Sequence, residues 1–302
     1  MTVSLDYGAP TSHSSLIAHF AIAKGLFARQ GIEAAVKVVH GGPELAAAYH
    51  SGAIPMGEMG SPPAITAIGA GRRIKIVGSS MRRGVALFFV TRADIQAIGG
   101  LRGERLGALS AGSCSDWYLR EVLRQNGLEP GRDVEIVGLG KDHDRVNELI
   151  AEGVIAGALV SGLNAKQGER GGISRCWGSA FDVATVPDLQ WSVHVANMEF
   201  LDRDTEFAAT VLGVLREAGQ AAERDPEEWI AFTAEKFAID PDLSREAFEI
   251  ERPFLHFEGR LDLEGLQRSI DLQKKLGALK GDLALDNVVD WRFHTPAPGP
   301  MA

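Results

Sequence analysis

An α/β protein in two lobes, each a mainly parallel sheet flanked by helices, is the architecture that the sequence predicts. Three observations predict it. The first half alternates short apolar strands with segments of helical periodicity, which implies parallel strands covered on both faces. A second βα set begins after Leu101. Finally, Leu45 to Ile54 and Val146 to Ile155 place a helix, a glycine and a buried strand in the same order, an internal echo expected of two similar lobes.

Taken in order, residues 3–7 read as a strand and 14–30 as a helix, with apolar Leu16, Ile17, Phe20, Ile22, Ala23 and Phe27 on one side and Gly31 closing it. A strand follows at 33–39 and a helix near 44–50, after which 56–58, 62–69 and 74–79 read as strand, helix and strand. Residues 85–91 leave this unit as a strand. The second set comprises a strand at 106–109, a helix at 116–126, a strand at 134–138, a helix at 144–152 and a strand at 156–160, with a crossing back around 191–196. From Asp204 onward the pattern is helical, over 206–223, 226–237, 244–250 and 263–276. The expected domains are therefore 1–84 with 195–293, a discontinuous first lobe, and 85–194, the second. Residues 294–302, rich in proline, form a disordered tail.

A chain of 302 residues with 45% hydrophobic and 24% charged residues is long enough for two cores. The net charge of −9 argues against nucleic acid as a partner, because phosphate binding wants clustered Lys and Arg. It leaves room for a small anion held by local dipoles. Cys114 and Cys176 are too few for a disulfide framework and read as free thiols. No run reaches the roughly 18 apolar residues of a membrane span, so membrane insertion is not expected. The first residues read as a strand, without a basic segment and apolar run before it. The expected location is periplasmic if an export signal was removed and cytoplasmic if the sequence is complete as given.

The most informative stretch is 101–118. A strand at 106–109 runs into Ser110, Ala111, Gly112, Ser113, Cys114 and Ser115, and an amphipathic helix follows. Unpaired backbone N–H groups and hydroxyls at a helix N-terminus bind an anion without a basic side chain. Together with Ala23 to Glu33 (Ala-Lys-Gly-Leu-Phe-Ala-Arg-Gln-Gly-Ile-Glu), Ile98 to Gly107 (Ile-Gly-Gly-Leu-Arg-Gly-Glu-Arg-Leu-Gly), and an ending in Leu276 to Lys280 and Val289 to Phe293, this turn carries a resemblance. The chain resembles type II periplasmic-binding-protein-like domains over roughly residues 1–293. Within them it looks like the ABC-transporter substrate-binding proteins for sulfonates, taurine, nitrate and thiamine precursors, the SsuA/THI5-like (NMT1) group. The group's usual acidic residue after the Gly-x-Ile/Val of each lobe is replaced here by Pro55 and Ala156, and the cysteine-rich motif of the THI5-type pyrimidine synthases is absent.

The resemblance implies a periplasmic-binding-protein-like II fold with a ligand cleft between the lobes, where strand ends and helix N-termini converge. Four loops of the first lobe fall there. Thr11, Ser12 and His13 follow the first strand, with an N-cap and an exposed histidine as the plain structural explanation. Gly41 and Gly42 allow close backbone approach, or make a tight turn. Ser61 caps a helix and could turn its amide to the cleft. Ser80 and Met81 end the fourth strand, Met81 suiting an apolar ligand body; Arg82 and Arg83 read first as surface charges. The second lobe supplies Gly112, Ser113, Cys114 and Ser115 as the anion seat, and Ser161 at a strand end. Trp191 sits where the chain recrosses, as a ring to stack on or as a core side chain. Asp142, His143 and Asp144 are adjacent and cannot all face one ion, so they read as a solvated helix start; no metal site and no cofactor are expected.

The function expected is capture of a small organic anion, of sulfonate or aromatic carboxylate type, between two lobes, with an ABC permease as the implied partner. The alternative is a cytoplasmic enzyme on the same fold, a desulfinase, decarboxylase or pyrimidine-precursor enzyme, using Cys114 and His13. A thiol at a helix N-terminus is expected to have a lowered pKa. The cysteine of the related aromatic sulfinate desulfinases, however, resembles the position after the first strand, where this chain has Thr11 and Ser12. No catalytic residue is assigned, and a binding protein is preferred.

Overall fold

The alternation of the first half becomes a sheet strand by strand. β1 (Val3–Ala9) is followed by α1 (Leu16–Ala23) and α2 (Leu26–Arg29). These two replace the single helix expected over 14–30, because Gly25 adopts a left-handed conformation (φ 66°) that stops the first helix and turns the chain into the second. Then come β2 (Ile32–Val38), α3 (Gly42–Ser51), β3 (Met56–Gly60), α4 (Ser61–Gly69) and β4 (Ile74–Ser79). Residues 2–80, 86–186, 188–256 and 259–294 are described by the computed structural model.

The second set opens with β5 (Phe88–Arg92) and β6 (Arg105–Ala108), and continues through α5 (Cys114–Gln125), β7 (Glu135–Gly138), α6 (Val146–Ala151) and β8 (Gly157–Val160). Next come α7 (Gly162–Arg170), β9 (Ser174–Ser179) and α8 (Ala180–Val183), three elements for which the sequence showed no periodicity. The chain returns as β10 (Ser192–Asn197) and ends in helices α9 (Met198–Arg203), α10 (Thr205–Arg224), α11 (Pro226–Phe237), α12 (Pro241–Glu251), α13 (Leu263–Lys275) and α14 (Leu285–Val288). The expected tail, from residue 295 on, lies outside the described residues.

The strands form two sheets of the same design. One has the order β2-β1-β3-β10-β4, the other β7-β6-β8-β5-β9. Strand pairing is parallel for β1 with β2 and β3, and for β6 with β7 and β8. The antiparallel member of each sheet, β10 or β5, sits between its third and fourth parallel strands. Those two strands are the ones that follow the chain's passages between sheets. This is the two-lobe periplasmic-binding-protein fold, each lobe a mainly parallel sheet flanked by helices.

Both faces of each sheet are covered, so successive side chains of one strand enter different cores. In the second sheet Phe89 and Leu159 pack with Leu119 and Val122 of α5. Their neighbours Phe88, Val90, Ala158 and Val160 pack on the opposite face with Val146 and Ile150. In the first sheet Leu5 and Tyr7 join Phe20 and the apolar side of α10, while Ile76, Val193 and Val195 meet Leu45, Ile65 and Ile270. α12 belongs wholly to neither lobe. Its Phe248 and the following Leu255 enter the first lobe's core, whereas Ile250 and Phe254 pack on the second lobe's, and the helix lies along α7.

Candidate functional site

The loops at the C-terminal ends of the parallel strands enclose a cavity of about 110 Å³ between the sheets. Its first-lobe wall is made by Pro10, Thr11, His13 and Ser14 after β1, Gly42 at the start of α3, and Glu58, Met59 and Gly60 at the end of β3 with Pro63 beyond. The second-lobe wall is made by Leu87, Leu109, Ser113 to Ser115, His143, Asp144, Ser161 and Asn164. Trp191 and Ser192, at the return to the first sheet, form the floor. The N-terminal ends of α1, α3, α4, α5 and α7, each of eight residues or more, therefore converge on one space. Each presents the positive end of a helix dipole, although the first amides are not free at every end: the Ser61 N–H of α4 donates to the Trp191 carbonyl and is followed by two prolines, and the Gly162 N–H of α7 donates to Glu251. No lysine or arginine is among the described lining residues.

The β6–α5 loop shows how that convergence is held. Ser113 caps α5: its Oγ accepts from the amides of Asp116 (3.4 Å) and Ser110 (3.3 Å). Ser115 Oγ accepts from the Leu109 amide at 2.9 Å and lies 3.2 Å from Ser113 Oγ. The hydroxyl oxygens are thus held as acceptors by the loop, and of the two protons only one is used between Ser113 and Ser115, so the helix offers the cavity one remaining O–H donor and the backbone N–H at Cys114 and Ser115 together with its dipole. Gly112 does not line the cavity; its amide donates to Asp116 Oδ2 at 2.9 Å, and the other oxygen of that carboxylate accepts from Arg120 Nε at 2.8 Å. Ser161 caps α7 in the same way, accepting from the Asn164 amide at 3.3 Å.

Cys114 lines the cavity, but burial pushes its thiol pKa up. This reverses the expectation of a lowered value. The side chain is enclosed against Gly60, where any Cβ would overlap Sγ, and desolvation of a thiolate outweighs the helix dipole there. Cys176, the other free cysteine, is also shifted up by burial.

In the first lobe, Thr11 and Ser14 form a closed cluster, with the Thr11 amide donating to Ser14 Oγ at 3.1 Å and the Ser14 amide to Thr11 Oγ1 at 3.1 Å. Ser12 is not at the cavity; its carbonyl accepts from Ser15 Oγ at 2.9 Å. His13 is, and its Nε2 lies 2.8 Å from Glu251 Oε1. Gly41, at φ 110°, lies behind the wall, its backbone close against Glu44 and Ser110 of the opposite lobe, while Gly42 lines the cavity packed on Pro63.

Ser61 departs from expectation. Its amide donates to the Trp191 carbonyl at 2.8 Å and its hydroxyl to the Gln190 carbonyl, with Ser269 Oγ 3.1 Å away. It fastens α4 to the segment before β10 instead of facing the cleft. Ser80 is also buried behind the wall, where its hydroxyl donates to Glu58 Oε2 at 2.7 Å. Met81, with Arg82 and Arg83, lies outside the described residues. Trp191 packs edge-on against Tyr118, with centroids 5.4 Å apart, and gives its remaining surface to the cavity.

Two buried titratable residues on the wall, Glu58 and His143, were not among those expected there. Glu58 lies on a four-residue buried stretch of β3, and a single carboxylate there carries no pattern. His143 read as part of a solvated helix start, yet it is buried, on a 3-10 turn (Gly140–Arg145), and reaches the cavity. Burial lowers its pKa, against the opposing pull of Asp144 and with a further lowering by His40 across the cleft. Its flanking aspartates masked it in the sequence. Among the described residues there is no group of three or more metal-ligating side chains.

Comparison with known proteins places this geometry. Solved structures with the same fold include the alkanesulfonate-binding protein SsuA from Xanthomonas axonopodis pv. citri bound to MOPS, at a TM-score of 0.75 and 19% identity over 98% of each chain. The periplasmic aliphatic sulphonate binding protein SsuA from Escherichia coli aligns at 0.72 and 18% identity, over 100% of this chain and 95% of that one. The periplasmic nitrate-binding protein NrtA from Synechocystis PCC 6803 aligns at 0.74 and 14% identity, over 97% and 86%. No curated protein sequence matches the chain. The family model described as NMT1/THI5 like matches residues 11–229, from the loop after β1 into α11, a span that includes most of the cavity wall on both lobes. The chain therefore belongs to the NMT1/THI5-like family.

Proposed function

We propose that the protein is a solute-binding protein that closes two lobes on a small organic anion, of sulfonate or aromatic carboxylate type, for an ABC-type uptake system. The single observation that carries the reading is the convergence of five helix N-termini on one cavity between the lobes. Dipoles of that sense favour a compact negative group. The solute's acid is assigned to the α5 end, at the Cys114 and Ser115 amides, and its body to Trp191, Leu87 and Leu109. Neighbours of the same fold bind sulfonates and nitrate by name, which supports the class, the permease partner and a periplasmic location.

The moving parts are proposed as residues 1–84 with 195–293 against 85–194. A ligand touching both walls stabilises the closed arrangement and shifts the population toward it. The enzyme reading is not favoured, since burial works against a Cys114 thiolate and the nearby hydroxyls are held by backbone amides.

Native mass spectrometry against a panel of sulfonates, aromatic acids and pyrimidines tests this. A one-to-one complex with an acid, recovered chemically unchanged, is the expected result. Consumption of the ligand with appearance of a new mass would replace binding by catalysis.

A further inference from the structure

The turn between β6 and α5 runs along the first lobe and meets it through alternate residues. Ser110 Oγ is buried with no hydrogen-bond partner among the described residues, 2.8 Å from where a Cβ on Gly41 would stand. Gly112 faces Pro43, whose Cγ lies 3.9 Å from the place of a Cβ at 112. Cys114 comes last, and its Sγ fills the space that a Cβ on Gly60 would need. Residues 110, 112 and 114 thus meet the N-terminal ends of α3 and α4, and two of these contacts are made to a glycine of the first lobe.

The two glycines are constrained differently. Gly41 has φ 110°, so its backbone alone disfavours a side chain. Gly60 has φ −68° and ψ 144°, extended backbone open to any residue. Apart from the thiol, an alanine methyl there would meet only ordinary contacts, Cys114 Cβ at 3.5 Å and Pro63 Cδ at 3.6 Å. The obstacle to a side chain at this position is therefore Cys114 Sγ. Both residues line the cavity. A thiol forced from its seat either turns into the solute's space or lifts the start of α5 away from α4, and each takes room or contacts from a solute.

We propose that Gly60 is a specificity-determining residue of the binding site: it houses the Cys114 thiol, which keeps the solute's space clear, lets the start of α5 close on that of α4, and so fixes the size of acid that fits. This rests on the solute-binding reading above. It gives Cys114 a part in binding that depends on its being small, not on its being a nucleophile. Removing the sulfur while Gly60 is kept leaves an empty seat on the cavity wall, so Cys114→Ala should move the preference toward longer acids.

The test compares wild type with Gly60→Ala, Cys114→Ala and the double variant, in the full chain, by calorimetry with ethanesulfonate, butanesulfonate, benzoate and 4-ethylbenzoate. Gly60→Ala should weaken the acids that bind wild type by about tenfold or more, as overpacking of a filled contact does. In the Cys114→Ala background the same change should cost less than about twofold. An equal cost in both backgrounds overturns the proposal, because a disturbed start of α4 would weaken binding whether or not the thiol is present. A size preference unchanged by Cys114→Ala overturns it as well. Unfolding midpoints check the variants: if Gly60→Ala alone does not fold, recovery of the midpoint in the double variant supports the seat and no recovery overturns it. A second readout needs no solute, namely the rate at which 4,4′-dithiodipyridine labels Cys114 in a Cys176→Ser background. Gly60→Ala should raise that rate about tenfold or more, since the thiol leaves a shielded position, and equal rates overturn the seat. If no acid binds wild type, the solute reading fails by itself, and the labelling rates still decide whether Gly60 houses the thiol.

Discussion

Ser113 offers the sharpest single substitution. Its hydroxyl caps α5 and borders the proposed anion seat, and aspartate is as good an N-cap as serine. Ser113→Asp therefore keeps the helix while placing a carboxylate beside the solute's acid. Affinity for an acid ligand should fall about a hundredfold or more, as expected for like charges a few ångströms apart in a partly desolvated site. Calorimetry with the unfolding midpoint as control measures it, and wild-type affinity in this variant would move the acid away from α5. His194 makes a different prediction. It is buried with its Nδ1 2.8 Å from Tyr7 Oη, and burial, helped by Arg216, lowers its pKa to about 4 from the ordinary 6.5. The unfolded chain then binds a proton that the folded chain refuses. Its contribution is fully present above pH 6.5 and is lost as pH falls toward 4, by about 3 kcal/mol in all. His19, also lowered to about 4 by burial and Lys236, adds in the same direction. Urea melts at pH 7.5 and 4.5 should show the loss, and His194→Gln should make it smaller; an unchanged drop would assign it to other groups.

At the scale of elements, the sequence was legible wherever local chemistry and burial agreed. α11 is bounded as its residues dictate. Asp225 accepts from the Glu228 amide at 3.1 Å, Pro226 occupies the first turn, and Trp229, Ile230, Thr233 and Ala234 make the buried side. Asp225→Ala should lower stability by about 1 kcal/mol, readable as a shift in the denaturation midpoint at constant m-value; no shift would mean that tertiary packing alone holds that end. α7, β9 and α8 were illegible for the opposite reason. α7 buries Leu163 and Ala165 with Gly162 and Gly168, glycines that let α12 and Ser174 approach closely, and a face with one large apolar residue has little hydrophobic period to read. The site divided along the same line. Loops at strand ends were visible from composition, and the resemblance implied that they face a cleft; of the residues so named, Thr11, His13, Gly42, Ser113, Cys114, Ser115, Ser161 and Trp191 line the cavity. Whether a particular hydroxyl faces the cavity or a carbonyl depends on tertiary partners, and so Ser12, Ser61 and Ser80, like the glycines Gly41 and Gly112, do not line it, while Glu58 and His143 do.

For the whole molecule, two sheets of one design meet at a cavity, and the duplicated order of strands explains why. Each sheet presents the C-terminal ends of its parallel strands, hence the N-termini of the following helices, toward the other. Opposed lobes of this kind sum their helix dipoles in the space between them, and the closure proposed above would remove water from the same space and strengthen every polar contact there. The measurement that tests this most directly is titration calorimetry of the wild-type chain with sulfonates and aromatic carboxylates, run beside neutral and cationic analogues of the same size. One-to-one binding confined to the acids is the predicted result. Binding of a neutral or cationic analogue with no acid bound would contradict the account, because the converging helix ends would then not be what holds the solute.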